Sequence, residues 1–503
     1  MQNATDVPIR ADAQGAALAE ERGLRVTFTL ICALTLYRMA LGYLDLTELS
    51  TDEAQYWAWG QESSFGAYSK PPLIGWIIRA STELFGHSVW AVRLPAAIIH
   101  AATALAILSL ARRIVDQRIA AMAALAYLTA PAVALGSALM TTDTPLLLAS
   151  ALALIAQHEL GRARLDRRPG FWLAVGLGAA VGIGLLAKYA MAYAIVGMIG
   201  AAVVSSNWRI RGRDLLTAVT VTIIVLLPHL GWLASHGFVT FHHLARSSGI
   251  EGGHPSYGVA AKFILDQLMV IGPVLFPACL LAMSRATRGS DTIALTMLAA
   301  ASLLIVLCQA LAGKALANWA VLYIVPGSIL AAGLLADRPR LWLVSLTFGL
   351  AISLALPLAK VAATGLRLLD GRLAMARYLG HEPLADWVLN GADRVGARIL
   401  VAADRDILAD LTWFGTPRGY EVRAVPPKFA PANHWQLSHP FEAQELRRGE
   451  KALLVLREER LHGCRDAAIL DRMHLDAGFG QGSTVVLIPL AGWGCLAAEE
   501  GGS

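Results

Sequence analysis

TIALTMLAAASLLIVLCQALA, Thr292–Ala312, contains no charged side chain and no proline. A helix needs about 20 mostly apolar residues to cross a hydrocarbon core, so this run predicts a membrane span. Ten further runs read the same way, near 24–44, 93–111, 119–136, 143–160, 171–187, 189–205, 214–234, 262–284, 317–336 and 341–362. Only the short polar break Lys188-Tyr189 separates two of them, so the spacing allows ten to twelve spans. A chain of 503 residues that is 56% hydrophobic and 16% charged is too apolar for a soluble enzyme. The fold class predicted is mainly α, a polytopic membrane protein of about 11 transmembrane helices.

Basic residues give that map an orientation, because Lys- and Arg-rich loops stay in the cytoplasm. Alternate loops carry Arg112, Arg113 and Arg118; Arg162, Arg164, Arg167 and Arg168; Arg209, Arg211 and Arg213; Arg285 and Arg288; Arg338 and Arg340. All five fall on one side if the N-terminus is cytoplasmic, and an odd span count then places the tail on the other. Nearly every chemistry-bearing residue lies in the opposite loops, so the working face is expected to be extracytoplasmic. The first run is too long for a cleaved signal and reads as a retained helix. The net charge of +5 comes partly from the orientation loops and is no argument for nucleic acid.

The expected division is a membrane domain over 1–362 and a soluble domain over 363–503. In the latter, RILVA (398–402), ALLVLR (452–457) and STVVLIP (483–489) read as strands, with helical segments around 372–390 and 405–413, as in a small α/β module. Its cysteines, Cys464 and Cys495, could pair as a disulfide in an oxidising compartment but read more readily as free thiols.

The polar loop STDEAQYWAWGQESSFGAYSKPPL, Ser50–Leu73, is the candidate active site. Ser50 with Glu53 three positions on is a capping box, acids suit a helix N-terminus, and Tyr56, Trp57 and Trp59 suit a membrane interface. Capping accounts for Glu53 and leaves Asp52 for other work. Lys70 precedes two prolines that stiffen its backbone; it reads as a cation for a lipid phosphate or as a snorkelling side chain. Asp143, in TTDTP (141–145), is a second acid on the same face or simply the start of a helix with Pro145 in its first turn. Lys188, Tyr189, His243, Arg246, Lys314 and Asn318 add polar groups on that side, each also readable as an interface anchor. The pair His242-His243 lacks the acid and histidine spacing of a zinc site.

In this order, TDEAQYWAWG (51–60), GAYSKPPL (66–73), VRLPA (92–96), TTDTP (141–145), LLAKYA (185–190) and GKALANWA (313–320) resemble the GT-C superfamily of lipid-linked-sugar glycosyltransferases, which contains protein mannosyltransferases and bacterial aminoarabinose transferases. The resemblance covers essentially the whole membrane domain. ADRDILADLTWF (403–414) and PANHWQLSHPF (431–441) resemble the extracytoplasmic domain of the bacterial members less specifically. It implies an inverting transfer from a polyprenyl (undecaprenyl) phosphate-linked sugar to an envelope glycolipid or polysaccharide, at the periplasmic face of a bacterial inner membrane. By the same resemblance Asp52 and Asp143 are the acids of the reaction. Lys70, and more loosely Arg246, meet the lipid phosphate. Glu53, Tyr56, Tyr68, Lys188, Tyr189, His243, Lys314 and Asn318 are expected among the substrate-binding groups. Asp52 acts as base for a hydroxyl acceptor, or orients substrate if the acceptor is a phosphate. It implies no definite cofactor; two acids suit a divalent ion, which is not favoured because the resembling bacterial transferases commonly work without one. A protein acceptor is the alternative within the enzyme class. Transport is a different class, disfavoured because the charges sit at span ends and not at mid-bilayer depth; a non-catalytic scaffold is the third reading.

Overall fold

The computed structural model describes residues 7–247, 255–287, 291–442, 450–463 and 468–490, with the side chains of 7–20, 246–247 and 462–463 outside the description. The chain runs through helices α1 (Val7–Tyr43), α2 (Thr51–Gln61), α3 (Leu73–Phe85), α4 (Val89–Ala111), α5 (Gln117–Thr129), α6 (Pro131–Gly136), α7 (Asp143–Leu165), α8 (Phe171–Ala187), α9 (Met191–Val204), α10 (Gly212–Ser235) and α11 (Val239–Ser247). It continues through α12 (Tyr257–Val270), α13 (Leu275–Ser284), α14 (Asp291–Leu311), a 3-10 turn at Ala317–Tyr323, α15 (Ile324–Leu335) and α16 (Pro339–Val361). Each of the eleven apolar runs falls on a helix or on a broken helical pair.

The runs do not each form one long unbroken helix. Among the described residues six helices are long and apolar enough to cross a bilayer, or seven if α12 and α13, bent by 112°, count as one. Several of the other runs are divided for local reasons. Pro131 starts a new helix and so divides one run into α5 and α6. The extended Lys188 (φ −163°, ψ 136°) ends α8 and precedes α9, leaving helices of 17 and 14 residues. Gly272, with φ +117°, makes the sharp bend after α12, a conformation that a side chain would resist.

Contacts divide the chain into two compact units, and the division is not collinear with a boundary at 362. The first comprises 1–43, 93–238 and 244–357; the second comprises 44–92, 239–243 and 358–503. The polar loop at 50–73 therefore groups with the tail. Within the second unit α2 and α3 cross closely, since a Cβ on Gly60 would lie 2.5 Å from the Gly75 carbonyl oxygen. Glycine at both positions allows that approach.

The tail contains α17 (His381–Val395), β1 (Ile399–Ala402), α18 (Arg405–Gly415), β2 (Glu421–Ala424), α19 (His434–Ser438), β3 (Ala452–Arg457), β4 (Asp471–His474) and β5 (Thr484–Leu490). Its five-stranded sheet has the order β2-β1-β3-β5-β4. The β1 strand pairs parallel with β2 and β3, while β5 pairs antiparallel with β3 and β4. The apolar strands predicted from sequence are β1, β3 and β5, whose Val401, Leu454, Val486 and Ile488 lie in one buried cluster. β2 and β4 lacked that signal because EVRA alternates polar and apolar residues and DRMH has Met473 as its single apolar residue, as suits strands at the edges of the sheet. Cys464 and Cys495, the possible disulfide, lie outside the described residues.

Candidate active site

In the second unit the capping box predicted for α2 is present. The Ser50 hydroxyl accepts from the Glu53 amide at 3.3 Å, and Glu53 Oε2 accepts from the Ser50 amide at 3.1 Å. Glu53 is buried, so its carboxylate serves the helix start. Asp52 beside it points to a different partner. Its Oδ1 accepts a hydrogen bond of 2.9 Å from Arg405 Nη1, which also reaches Gln55 Oε1 at 3.3 Å. The Asp52 and Arg405 side chains are 47% and 46% exposed, so the pair stays wet.

Arg405 opens α18, and aromatic packing holds that helix on α2. The His87 and Trp413 rings lie 3.7 Å apart, and Trp57 meets Trp413 edge-on at 5.0 Å. Trp57 is thus a packing residue within this unit, and Tyr56, also buried, lies against Trp59 at 5.2 Å. The Tyr68 hydroxyl donates to the Pro431 carbonyl at 2.7 Å, and its ring lies 4.9 Å from that of His243. Lys70 is half-buried in a tight turn whose backbone bond runs from the Ala67 amide to the Lys70 carbonyl at 3.2 Å.

Glu62 is the other charged group of this loop. Its Oε1 lies 2.9 Å from His434 Nε2 and 3.0 Å from His439 Nε2. Burial alone pushes the carboxyl up, but hydrogen bonds from both imidazoles, with their charge, outweigh it and bring it down to about 2. Farther into the tail, His381 Nδ1 meets both oxygens of Asp410 at 2.9 Å. Burial drives the Asp410 carboxyl up to about 6 against the pull of His381.

In the first unit a second constellation forms at the start of α7. Asp143 Oδ1 accepts from Lys188 Nζ at 2.6 Å, and Oδ2 accepts from Asn318 Nδ2 at 2.9 Å. The Asp143 and Lys188 side chains are 13% and 15% exposed. Three residues named separately from the sequence therefore form one cluster, brought together from α7, the α8–α9 break and the 3-10 turn. The Tyr189 hydroxyl lies 2.8 Å from His229 Nε2 in the same unit. Lys314 is exposed. The backbone of Arg246 belongs to α11, but its side chain lies outside the described residues.

Sequence reasoning missed Arg405, Gln55, Glu62, His434, His439 and His229. The tail signal existed, since ADRDILADLTWF and PANHWQLSHPF contain three of them, but a linear motif does not say which carboxylate each cation meets. Among the described residues no group of three or more His, Cys, Asp or Glu side chains gathers in a form suited to a metal ion. The arrangement offers a wet carboxylate beside a guanidinium, and separately a shielded carboxylate held by an ammonium and an amide. Such groups can accept a proton, orient hydroxyls and meet anionic groups.

The long apolar helices of this chain fit a membrane protein, and its sequence relatives define the class as a membrane-embedded glycosyltransferase. The chain belongs to the GT-C superfamily. Residues 69–232 match the family model described as dolichyl-phosphate-mannose-protein mannosyltransferase. The chain is 36% identical over 412 residues to the lipid A galacturonosyltransferase RgtD of Rhizobium johnstonii, covering 81% of this chain and 86% of that protein. It is 30% identical over 256 residues to the lipopolysaccharide core galacturonosyltransferase RgtA of the same organism, about 50% of either chain. The crystal structure of ArnT from Cupriavidus metallidurans bound to undecaprenyl phosphate shares the fold, with TM-score 0.62 and 19% identity over 91% of this chain and 97% of that one. The apo structure of the same protein gives TM-score 0.57 and 17% identity over 98% of this chain and 100% of that one.

Proposed function

We propose that this glycosyltransferase moves galacturonic acid from a polyprenyl phosphate, of the undecaprenyl type, to a lipid A-like envelope glycolipid at the periplasmic face of a bacterial inner membrane. The observation that carries this reading is the 36% identity to a lipid A galacturonosyltransferase over 412 residues, a span long enough to include residues of both compact units. The ArnT structure with undecaprenyl phosphate supports the donor lipid. The alternating arginine loops support the orientation.

Chemically, an acceptor oxygen attacks the anomeric carbon, the bond to the lipid phosphate oxygen breaks, and configuration inverts. Asp52 takes the acceptor proton where that group is a hydroxyl; where it is a phosphate, Asp52 orients it. Lys70 and Arg246 offset the charge that grows on the departing phosphate. Asp143, held by Lys188 and Asn318, is assigned to the same reaction as a fixed orienting group. Glu53, Tyr56, Tyr68, Tyr189, His243 and Lys314 remain proposals as substrate-binding residues.

Mass spectrometry of lipid A from cells lacking the protein, complemented with wild type or with Asp52→Asn, tests the reading. Loss of a uronic acid mass that only wild type restores supports it. Loss of a different mass refutes the sugar, an unchanged lipid A with altered glycoproteins transfers the proposal to a protein acceptor, and full restoration by Asp52→Asn refutes the role of that acid.

A further inference from the structure

A cavity of about 560 Å³ opens among α7, α8, α9 and α10, within the range of small-molecule sites. Its walls are aliphatic, with Leu177, Ile199, Leu215 and Val219 among them, and the last three are exposed on the outer surface of the bundle. In a bilayer such a rim faces acyl chains. One end of the cavity is polar. Gln157, only 3% exposed, donates through Nε2 to the carbonyls of Met198 at 2.8 Å and Trp208 at 3.0 Å. Both amide hydrogens are thereby used, which fixes Oε1 as the remaining atom, and Oε1 has no hydrogen-bond partner among the described residues. A buried acceptor left in that state is costly, and a donor from a ligand would satisfy it.

Next to Trp208 stands Arg209, exposed and lining the same cavity. Its Nε and Nη2 cap carbonyls at the end of α9, those of Ala202 at 3.2 Å and Val203 at 3.3 Å. Arg164 approaches the same corner by donating to the Arg209 and Ser206 carbonyls at 2.9 Å. Asp214, the acid of the first turn of α10, lies 3.9 Å from Arg211 and 3.7 Å from Arg213 and so is already faced by cations. A surplus of positive charge, an orphaned acceptor and an aliphatic groove open to the outside therefore meet in one place. The place is far from Asp143. Gln157 lies about 20 Å along α7 from Asp143 at helical rise.

We propose that this cavity is a binding site for an anionic glycerophospholipid whose headgroup carries a hydroxyl. One acyl chain lies in the aliphatic groove, the phosphate meets Arg209, and a headgroup hydroxyl donates to Gln157 Oε1. Charge selects the phosphate, since a basic residue near a membrane surface favours anionic lipid. The orphaned carbonyl selects the hydroxyl. The proposal stands apart from the transferase reading, because no sugar donor is needed to fill the site.

The test uses the delipidated full-length protein in detergent, titrated with phosphatidylglycerol, phosphatidylmethanol, phosphatidylcholine and undecaprenyl phosphate and read by native mass spectrometry. Phosphatidylglycerol should bind more tightly than phosphatidylmethanol, which has the phosphate without a headgroup hydroxyl, and more tightly than phosphatidylcholine. Arg209→Gln should weaken phosphatidylglycerol about five-fold, the loss of one interfacial cation, and leave phosphatidylcholine unchanged. Ile199→Trp, on the exposed rim where folding tolerates a ring, should weaken every glycerophospholipid. Equal binding of all lipids to wild type, insensitivity to both variants, or displacement of phosphatidylglycerol by undecaprenyl phosphate with the same sensitivity to Arg209→Gln would overturn the assignment.

Discussion

Asp52 and Asp143 both stand in the first turn of a helix, where the aligned peptide dipoles favour an anion, yet the two units surround them differently. Asp143 has both oxygens held, by Lys188 and Asn318, and is 13% exposed. Asp52 is held through Oδ1 by Arg405, is 47% exposed, and its Oδ2 has no partner among the described residues. Local sequence made the two acids equivalent candidates; their partners separate them. A carboxylate with an open oxygen can receive a proton, whereas one gripped on both oxygens is suited to holding geometry.

The comparison breaks most sharply at Asp52. Asp52→Asn retains a group that Arg405 can donate to but loses the base, so sugar transfer should fall by about 100-fold or more. Because the pair is half-exposed, unfolding free energy should change by less than about 1 kcal/mol. Transfer rates and thermal unfolding of the purified variant check both halves. A wild-type rate would leave Asp52 only as an anion in the first turn of α2.

The reverse pattern is expected at the shielded cluster. Lys188→Met leaves a mostly buried carboxylate with only Asn318, which should cost about 3 kcal/mol. The double variant Lys188→Met with Asp143→Asn should recover most of that loss, because no unpaired charge is left. Unfolding measured across the four proteins of this cycle isolates the coupling. Additive losses would mean that the contact at 2.6 Å contributes no coupling.

These differences mark where the sequence stopped being legible. Hydropathy located every membrane helix, because burying or exposing twenty apolar residues dominates any local effect. It did not show where a run is divided, because a break such as Pro131 or Gly272 changes backbone direction while leaving mean hydropathy almost unchanged. The capping box at Ser50 and Glu53 was legible because its partners are three residues apart. Arg405 lies 353 positions from Asp52 and His434 lies 372 from Glu62. No periodicity encodes such pairs; only the fold does. Even so, Asp143, Lys188 and Asn318 were each chosen from sequence, and the structure joins them.

Glu62 sharpens the comparison through pH. Its folded value of about 2 lies below the unfolded 4.5, so its contribution is present above pH 4.5 and disappears as pH falls toward 2. With the side chain 27% exposed, solvent screening discounts that contribution to roughly 2 kcal/mol. Glu62→Gln should flatten unfolding stability between pH 5 and pH 2 relative to wild type. An unchanged acid limb would assign the sensitivity to other carboxylates, such as Asp471, which its hydrogen bond to Arg394 holds low.

The smallest stability effect belongs to Arg405, and it discriminates most finely. Its guanidinium is 46% exposed, so Arg405→Ala should cost under about 1 kcal/mol of stability. If Arg405 orients Asp52, the rate should still fall about ten-fold, with the loss in kcat and not in KM, because the substrate is bound but the base is no longer held. Arg405→Lys should recover only part of the rate: an ammonium can meet Asp52, but it lacks the planar fork that also reaches Gln55 at 3.3 Å. The split between kcat and KM separates orientation from packing. A loss shared by both parameters, or a rate that Arg405→Lys restores in full, would leave Arg405 as a strut between α2 and α18. A loss confined to kcat would make the tail a working part of the site that contains Asp52.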